Sequence, residues 1–340
     1  MANVEQKMPV HNLKKAIEMA EAYYHADTPV YFWGPPGVGK SQGLAQLARK
    51  LRIGFRDVRL GSKLPEDLHG IPVPDVEKQM AIWLKAVFWP EVERDGPRGI
   101  IIFDEMSDTT KAVQSATYQI VLDRCIGEFK LPPGWWPVAA GNRREDRAAA
   151  QAVSTALCNR FAHVDIAADY DTWREYANVK MLHPYVVAFL KIRPELLLKM
   201  EGSDLRAFPT PRAWEQVCKF VDSPSSIRQD LICGLVGPGA AAEFEAKMRN
   251  IVIPDIDEIT ADPKGCMIPK EPAGRYALSS MLAQNLNKKN FDKINIYIKR
   301  DEMGKDFEVV TVLDAVKRDG DLMNTKAYLD FADRNGALIL

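Results

Sequence analysis

The chain has 340 residues, 46% of them hydrophobic and 27% charged, and its formal net charge is −1. That length holds one large or two moderate domains, and the near-neutral balance argues against a surface dominated by nucleic-acid backbone binding, although a local basic channel would not register in it. Five scattered cysteines without C-x-x-C spacing give no support to a zinc site or a disulfide framework, and the absence of a signal-peptide pattern or a long apolar run makes a cytoplasmic protein without membrane insertion the expectation.

In chain order, Leu13, Ala16, Ile17, Ala20 and Tyr24 recur at helical spacing over residues 13–25. The apolar run Val30-Tyr31-Phe32-Trp33 reads as a strand, and a helix follows through about Leu51. Between them lies Gly34-Pro35-Pro36-Gly37-Val38-Gly39-Lys40-Ser41, a complete G-x-x-x-x-G-K-S sequence in the strand–loop–helix context that a phosphate loop requires. Its glycines allow backbone N–H groups to turn around phosphates, and the helix N-terminus adds partial positive charge. Lys40 can reach the terminal phosphates, and the Ser41 hydroxyl can ligate magnesium. A nucleoside triphosphate is the expected ligand.

Residues 55–60 alternate as a second strand, and Ile100-Ile101-Ile102-Phe103 is the continuous apolar run of a strand buried on both faces. That run ends in Asp104-Glu105. A carboxylate at a buried strand tip can hold magnesium through its water shell, and the second, Glu105, can polarise a water for attack on the γ-phosphate. Alone, the pair fits an ordinary acidic turn equally well, and the phosphate loop upstream favours the catalytic reading. A helix over 110–122 precedes a strand over 136–140, after which Gly141-Asn142 offers an amide beside the γ-phosphate, or simply a turn. Residues 161–166 read as a fifth strand. Alternating strands and helices predict a doubly wound parallel sheet with ligands at the carboxyl ends of its strands.

Past residue 168 the pattern turns helical, over 184–200, 210–221, 226–236, 240–250, 275–286 and 322–334. Residues 254–274 read as an irregular connector and Ile294–Ile298 as a strand. The expected division is an α/β nucleotide-binding domain over 1–168 and a helical domain over 169–340, whose last part, 255–340, is the least legible.

Gly34 to Ser41, Ile100 to Glu105, Asn142, Asn159-Arg160-Phe161 and Phe208-Pro209-Thr210-Pro211-Arg212 stand in the order found in AAA+ ATPases. The chain resembles the MoxR-type branch, within the group that carries a helix-2 insert, over roughly residues 10–250. The resemblance implies a P-loop NTPase α/β core followed by a helical lid, magnesium-dependent hydrolysis of ATP, and assembly into a homo-oligomeric ring, usually a hexamer. By the same resemblance Asn142 matches sensor 1, Arg160 the arginine finger lent to a neighbouring subunit, and Arg212 sensor 2. Outside the family order, Arg160 would be a surface ion-pair partner and Arg212 a partner for Glu215. For Arg212 the local sequence agrees with a place on the first turn of a helix, because Thr210 is a good N-cap and Pro211 suits the first helical position. Arg143 and Arg144 are either further interface arginines or part of a solvated charge cluster.

Residues 68–90 lie where the helix-2 insert is expected, and 125–135 where a hairpin precedes sensor 1. In such rings these elements face the pore or a client, although their aromatics are equally suited to core or subunit contacts. The resemblance therefore implies a chaperone that couples ATP hydrolysis to remodelling of a protein client, in some members with a separate von Willebrand factor A partner. The alternative is an ATP-driven nucleic-acid motor or loader, to which residues 291–305 would offer positive charge interleaved with acids.

Overall fold

The computed structural model describes residues 8–143, 146, 158–200, 206–249 and 251–339. Arg144, Glu145 and Arg147, in the charge cluster after Asn142, lie outside them. The chain divides into two compact units, Met1–Ala168 and Asp169–Leu340.

The first unit is α/β. Its strands β1 (Val10–His11), β2 (Val30–Trp33), β3 (Gly54–Arg59), β6 (Arg98–Asp104), β9 (Gly134–Gly141) and β10 (Ala162–Ile166) form one sheet in the order β1-β10-β2-β9-β6-β3. Every pairing in it is parallel. Side chains alternate across it as strand geometry requires. Val30, Phe32, Ile100, Ile102, Val138, Ala140, Val164 and Ile166 face one core, which α1 (Leu13–His25) and α2 (Lys40–Leu51) cover with Ala16, Ala20, Leu44 and Leu47. Tyr31, Ile101, Phe103, Trp135, Ala139 and Phe161 face the other, which α5 (Lys111–Asp123) covers with Val113, Ala116 and Ile120. Burial on both faces explains why the Ile100–Phe103 run is apolar without interruption.

Two hairpins leave this layer. β4 (Ile71–Asp75) and β5 (Met80–Leu84) pair antiparallel within the expected helix-2 insert, after the short helix α3 (Pro65–His69). β7 (Cys125–Ile126) and β8 (Phe129–Lys130) form the smaller hairpin ahead of β9. Trp89 is buried between them, stacked on Phe129 at 4.8 Å and donating its indole N–H to the Leu68 carbonyl at 3.1 Å. A one-turn helix, α4 (Val92–Asp95), leads into β6.

The second unit is helical among its described residues: α6 (Tyr170–Val179), α7 (Pro184–Ile192), α8 (Pro211–Val217), α9 (Ser225–Val236), α10 (Pro238–Met248), α11 (Ile256–Ala261), α12 (Pro272–Asn285), α13 (Phe291–Ile298), α14 (Lys305–Arg318) and α15 (Lys326–Ile339). Three sequence expectations are corrected here. Ile294–Ile298 is helical, because Phe291, Ile294, Asn295 and Ile298 form one buried face at 3.6-residue spacing. The stretch 254–274 is not wholly irregular: α11 opens on an Asp255–Glu258 capping box and sends Ile259 into the core. The helix expected over 184–200 stops at Ile192, since Pro194 cannot continue it. Helices α6 and α14 carry no sequence expectation. No helix among the described residues is long and apolar enough to cross a membrane.

A buried polar network joins α6, α12 and α14. Asp314 lies 3.3 Å from Arg174 and accepts from the Asn178 amide at 3.0 Å, and Asn178 accepts from Ser280 at 3.3 Å. Burial raises the Asp314 carboxyl above its ordinary value against the pull of Arg174. Replacing Asp314 with Ala leaves the Arg174 guanidinium with only the exposed Asp171 carboxylate, at 3.6 Å, so Asp314→Ala is expected to cost about 3 kcal/mol, the low end for breaking a buried pair. Denaturant unfolding measures the loss, with hydrogen exchange locating it in α6 and α14; a loss below about 1 kcal/mol would mean water replaces the carboxylate freely.

Candidate functional site

The phosphate-loop sequence leaves the carboxyl end of β2, the strand between β10 and β9, and runs directly into α2. Gly37 and Gly39 have φ of 77° and 92°, left-handed values that let the backbone curl between strand and helix. Gly34 meets a different constraint: a Cβ there would come 2.6 Å from the Ile166 carbonyl oxygen of β10. Helix α2 begins without a side-chain cap, which leaves its first N–H groups directed outward as an anion-binding terminus.

Lys40 is 9% exposed, and its ammonium donates to the carbonyls of Gly34 (2.6 Å) and Pro35 (3.1 Å). It also donates to Asn142 Oδ1 at 3.4 Å. Burial lowers its pKa to about 8, against the attraction of Asp104, Asp146 and Asp108. A buried cation cradled by neutral carbonyls is a place where an anion would restore what desolvation removed.

The Ser41 hydroxyl donates to Asp104 Oδ2 at 2.5 Å, which puts the two expected magnesium ligands against each other. Among the described residues no group of three or more His, Cys, Asp or Glu gathers to hold a metal. One hydroxyl and one carboxylate nevertheless suit magnesium, which keeps several waters and takes its remaining ligands from phosphate oxygens. Glu105 is exposed, has φ of 61°, and donates its backbone N–H to Asp104 Oδ1 at 2.9 Å. A left-handed conformation is costly for a residue with a side chain. It turns the Glu105 carboxylate over Gly61, beyond the end of β3, where any Cβ would collide with it.

Asn142 follows β9, which pairs with both β2 and β6. Its amide is oriented by its partners: Oδ1 faces Lys40 and Nδ2 donates to Asp108 Oδ2 at 2.9 Å. Its backbone N–H donates to Ser107 Oγ at 2.8 Å. Ser107 and Asp108 are site residues that sequence reasoning missed; they sit in a short 3-10 turn after Glu105 that reads as loop. Gly141 makes room for them, since a Cβ there would strike both Tyr31 Oη and Ser107 Oγ.

The other expected residues are arginines. Arg160 is exposed in the turn before β10, at the amino end of the sheet, with its guanidinium 5.9 Å from the Tyr118 ring centre. Lys40, Ser41, Asp104 and Asn142 cluster at the carboxyl end. Five residues of chain lead from Arg160 to Asp165, which is in register with Trp33, roughly 16 Å at strand spacing. Arg143 turns inward onto Asp146 (3.1 Å) and Asp165 (3.7 Å). In the second unit Arg212 is exposed on the first turn of α8, where Thr210 Oγ1 caps the Ala213 N–H at 3.0 Å and Pro211 occupies the first position. Glu215, the alternative partner for Arg212, instead accepts from Tyr176 at 3.1 Å.

The chain matches no family model and no curated protein. Among solved structures it is similar to a point mutant of Thermotoga maritima RuvB (17% identity, 71% of this chain and 70% of that one, TM-score 0.38). It is also similar to the Thermotoga maritima RuvB Holliday junction branch migration motor (16%, 84% and 75%, TM-score 0.33). A third is Hsp104 in a closed state with ATPγS and casein (15%, TM-score 0.40), for which the match covers 71% of this chain and 45% of that one. Likenesses at this level decide neither activity nor partner. The α/β layer with its phosphate loop, and the helical second unit, stand on the structure itself.

Lys40 yields a pH dependence with a definite sign. A bound polyphosphate favours its charged form, so binding takes up protons at and above pH 8. Nucleotide affinity is expected to fall roughly tenfold from about pH 7.5 to 9, with proton uptake in calorimetry run in buffers of different ionisation enthalpy. An affinity flat over that range would mean Lys40 does not meet the phosphates. Without ligand the sign reverses: the unfolded chain holds the Lys40 proton more tightly, so stability rises as pH climbs through about 8.

Proposed function

We propose that the chain is an AAA+-type ATPase that hydrolyses ATP with magnesium at a site shared between subunits of a homo-oligomeric ring. The observation that carries this reading is the convergence of Lys40, Ser41, Asp104 and Asn142 at the carboxyl ends of three adjacent parallel strands. Gly34 to Ser41 hold the phosphates, with Lys40 on the terminal ones. Ser41 and Asp104 would hold magnesium, which would offset the negative charge of the phosphates. Glu105 takes the proton of the attacking water, and Asn142 orients that water through an amide already fixed by Asp108.

Arg160 supports the shared site. It is exposed, it makes no ion pair among the described residues, and it stands at the opposite end of the sheet from its own Lys40. A guanidinium so placed is away from its own chain's phosphate loop and available to another copy's nucleotide, a position in which such arginines are worth roughly 10³–10⁵ in rate in other NTPases. Arg143, held by Asp146 and Asp165, is assigned an internal bracing role. Arg212 is the second unit's candidate for contacting the γ-phosphate.

For the output of hydrolysis we favour remodelling of a protein partner. Hairpin β4–β5 exposes Ile71, Val76, Met80 and Leu84, an apolar surface on a two-stranded element that is marginal by itself.

Two substitutions separate binding from chemistry. Lys40→Ala is expected to abolish ATP binding in titration calorimetry. Glu105→Gln is expected to bind ATP at wild-type affinity yet release phosphate at least about 10²-fold more slowly, the low end for loss of a general base. Unchanged binding in the first, or near-normal turnover in the second, would remove the corresponding assignment.

A further inference from the structure

One partly buried group on the sheet has a geometry that the chemistry above does not use. Tyr31, Trp33 and His163 share one face across β2 and β10, with His163 in register with Tyr31. Tyr31 and Trp33 stack at 3.9 Å, and His163 lies 6.0 Å from Trp33 and 6.1 Å from Tyr31 in near-parallel planes. The Trp33 indole N–H donates to His163 Nδ1 at 2.8 Å, and His163 Nε2 lies 2.8 Å from the Cys158 carbonyl oxygen. An indole can only donate and a carbonyl can only accept. These two partners therefore fix the imidazole as the neutral tautomer with its proton on Nε2.

The Cys158 carbonyl also accepts from the Phe161 N–H at 3.3 Å, closing the turn Cys158-Asn159-Arg160-Phe161. Phe161 is buried edge-on against Tyr31 at 5.6 Å, and Arg160 extends over Tyr118. The turn is thus anchored at one end by the His163 hydrogen bond and at the other by the Phe161 ring, with Arg160 exposed between the anchors.

We propose that His163 is a positioning residue for Arg160: held in a single tautomer by Trp33, it pins the Cys158 carbonyl and so sets the angle at which the guanidinium is offered to the neighbouring subunit. The inference rests on the reading of Arg160 as a residue that acts in trans. Asn159 and Arg160 are exposed, and among the described residues the turn's other holds are the Phe161 ring and the Arg160–Tyr118 contact, so loss of the pin lets the turn drift while the phosphate loop of the same chain stays intact. Misplacement of a catalytic group by about 1 Å can cost on the order of 10²-fold in rate.

The test uses the full chain, four single variants and two double variants. His163→Phe keeps a ring in the stack and removes both hydrogen bonds. It is expected to lower kcat about 10- to 100-fold with ATP affinity and KM unchanged. His163→Gln can accept from Trp33 and donate to Cys158, and is expected to restore most of the rate. Trp33→Phe keeps the stack and releases the tautomer, so it gives a partial loss and covers the case in which His163→Phe fails to fold. The deciding comparison is made in an Arg160→Ala background, where adding His163→Phe or Trp33→Phe should slow hydrolysis no further. If the losses instead multiply, His163 acts elsewhere and the inference falls while the role of Arg160 stands. If Arg160→Ala alone turns over at the wild-type rate, it is the shared-site reading that fails.

Discussion

The arrangement depends on one buried cation. Lys40 is held inside the first unit by the carbonyls of Gly34 and Pro35 and by the Asn142 amide, and its burial lowers its basicity. Its surroundings follow from keeping a charge at that depth. Gly37 and Gly39 curl the chain so that α2 starts directly beneath it, and β9 brings Asn142 alongside. β6 delivers Asp104 to the Ser41 hydroxyl on the next position of the same helix. A lysine so enclosed costs stability in the empty protein, an expense a fold carries where a ligand repays it.

Sheet polarity is the second constraint. In an all-parallel sheet the carboxyl ends of the strands share one edge and the amino ends the other. The phosphate-loop cluster occupies the first edge and the Arg160 turn the second, with a rigid, doubly covered layer between them. Flexibility of one long side chain cannot bridge that layer. On the reading proposed here, a single chain therefore carries the two halves of a reaction centre facing opposite ways, and repetition of the chain brings unlike halves together. His163 and Trp33 belong to the strands that span the layer, and on the same reading a contact near the phosphate loop of one chain governs the arginine it presents to another.

The first unit was largely legible in sequence because its signals are local and redundant. Val30–Trp33 and Ile100–Phe103 are uninterrupted apolar runs, and the glycine spacing of the loop leaves few alternatives. Ser107, Asp108 and His163 were not legible. Their roles arise from pairings across strands far apart in the chain, and nothing local distinguishes them from turn and strand residues. The second unit was harder for a related reason. Over 291–298 alternating isoleucines imitate a strand, and only burial of Phe291, Ile294, Asn295 and Ile298 against neighbouring helices selects the helical period. Helices α6 and α14 lack a clear apolar period because buried Asn178 and Asp314 interrupt their faces, satisfied by each other and by Ser280 and Arg174 across helices rather than by neighbours in sequence.

The central claim is that hydrolysis needs a second copy of the chain. It is tested most directly by measuring phosphate release per chain across a dilution series, with the oligomeric state followed at each concentration by sedimentation or single-molecule mass measurement. The specific rate is expected to fall in step with the assembled fraction and to approach zero for isolated chains. A lone chain hydrolysing ATP at the full rate would contradict the account.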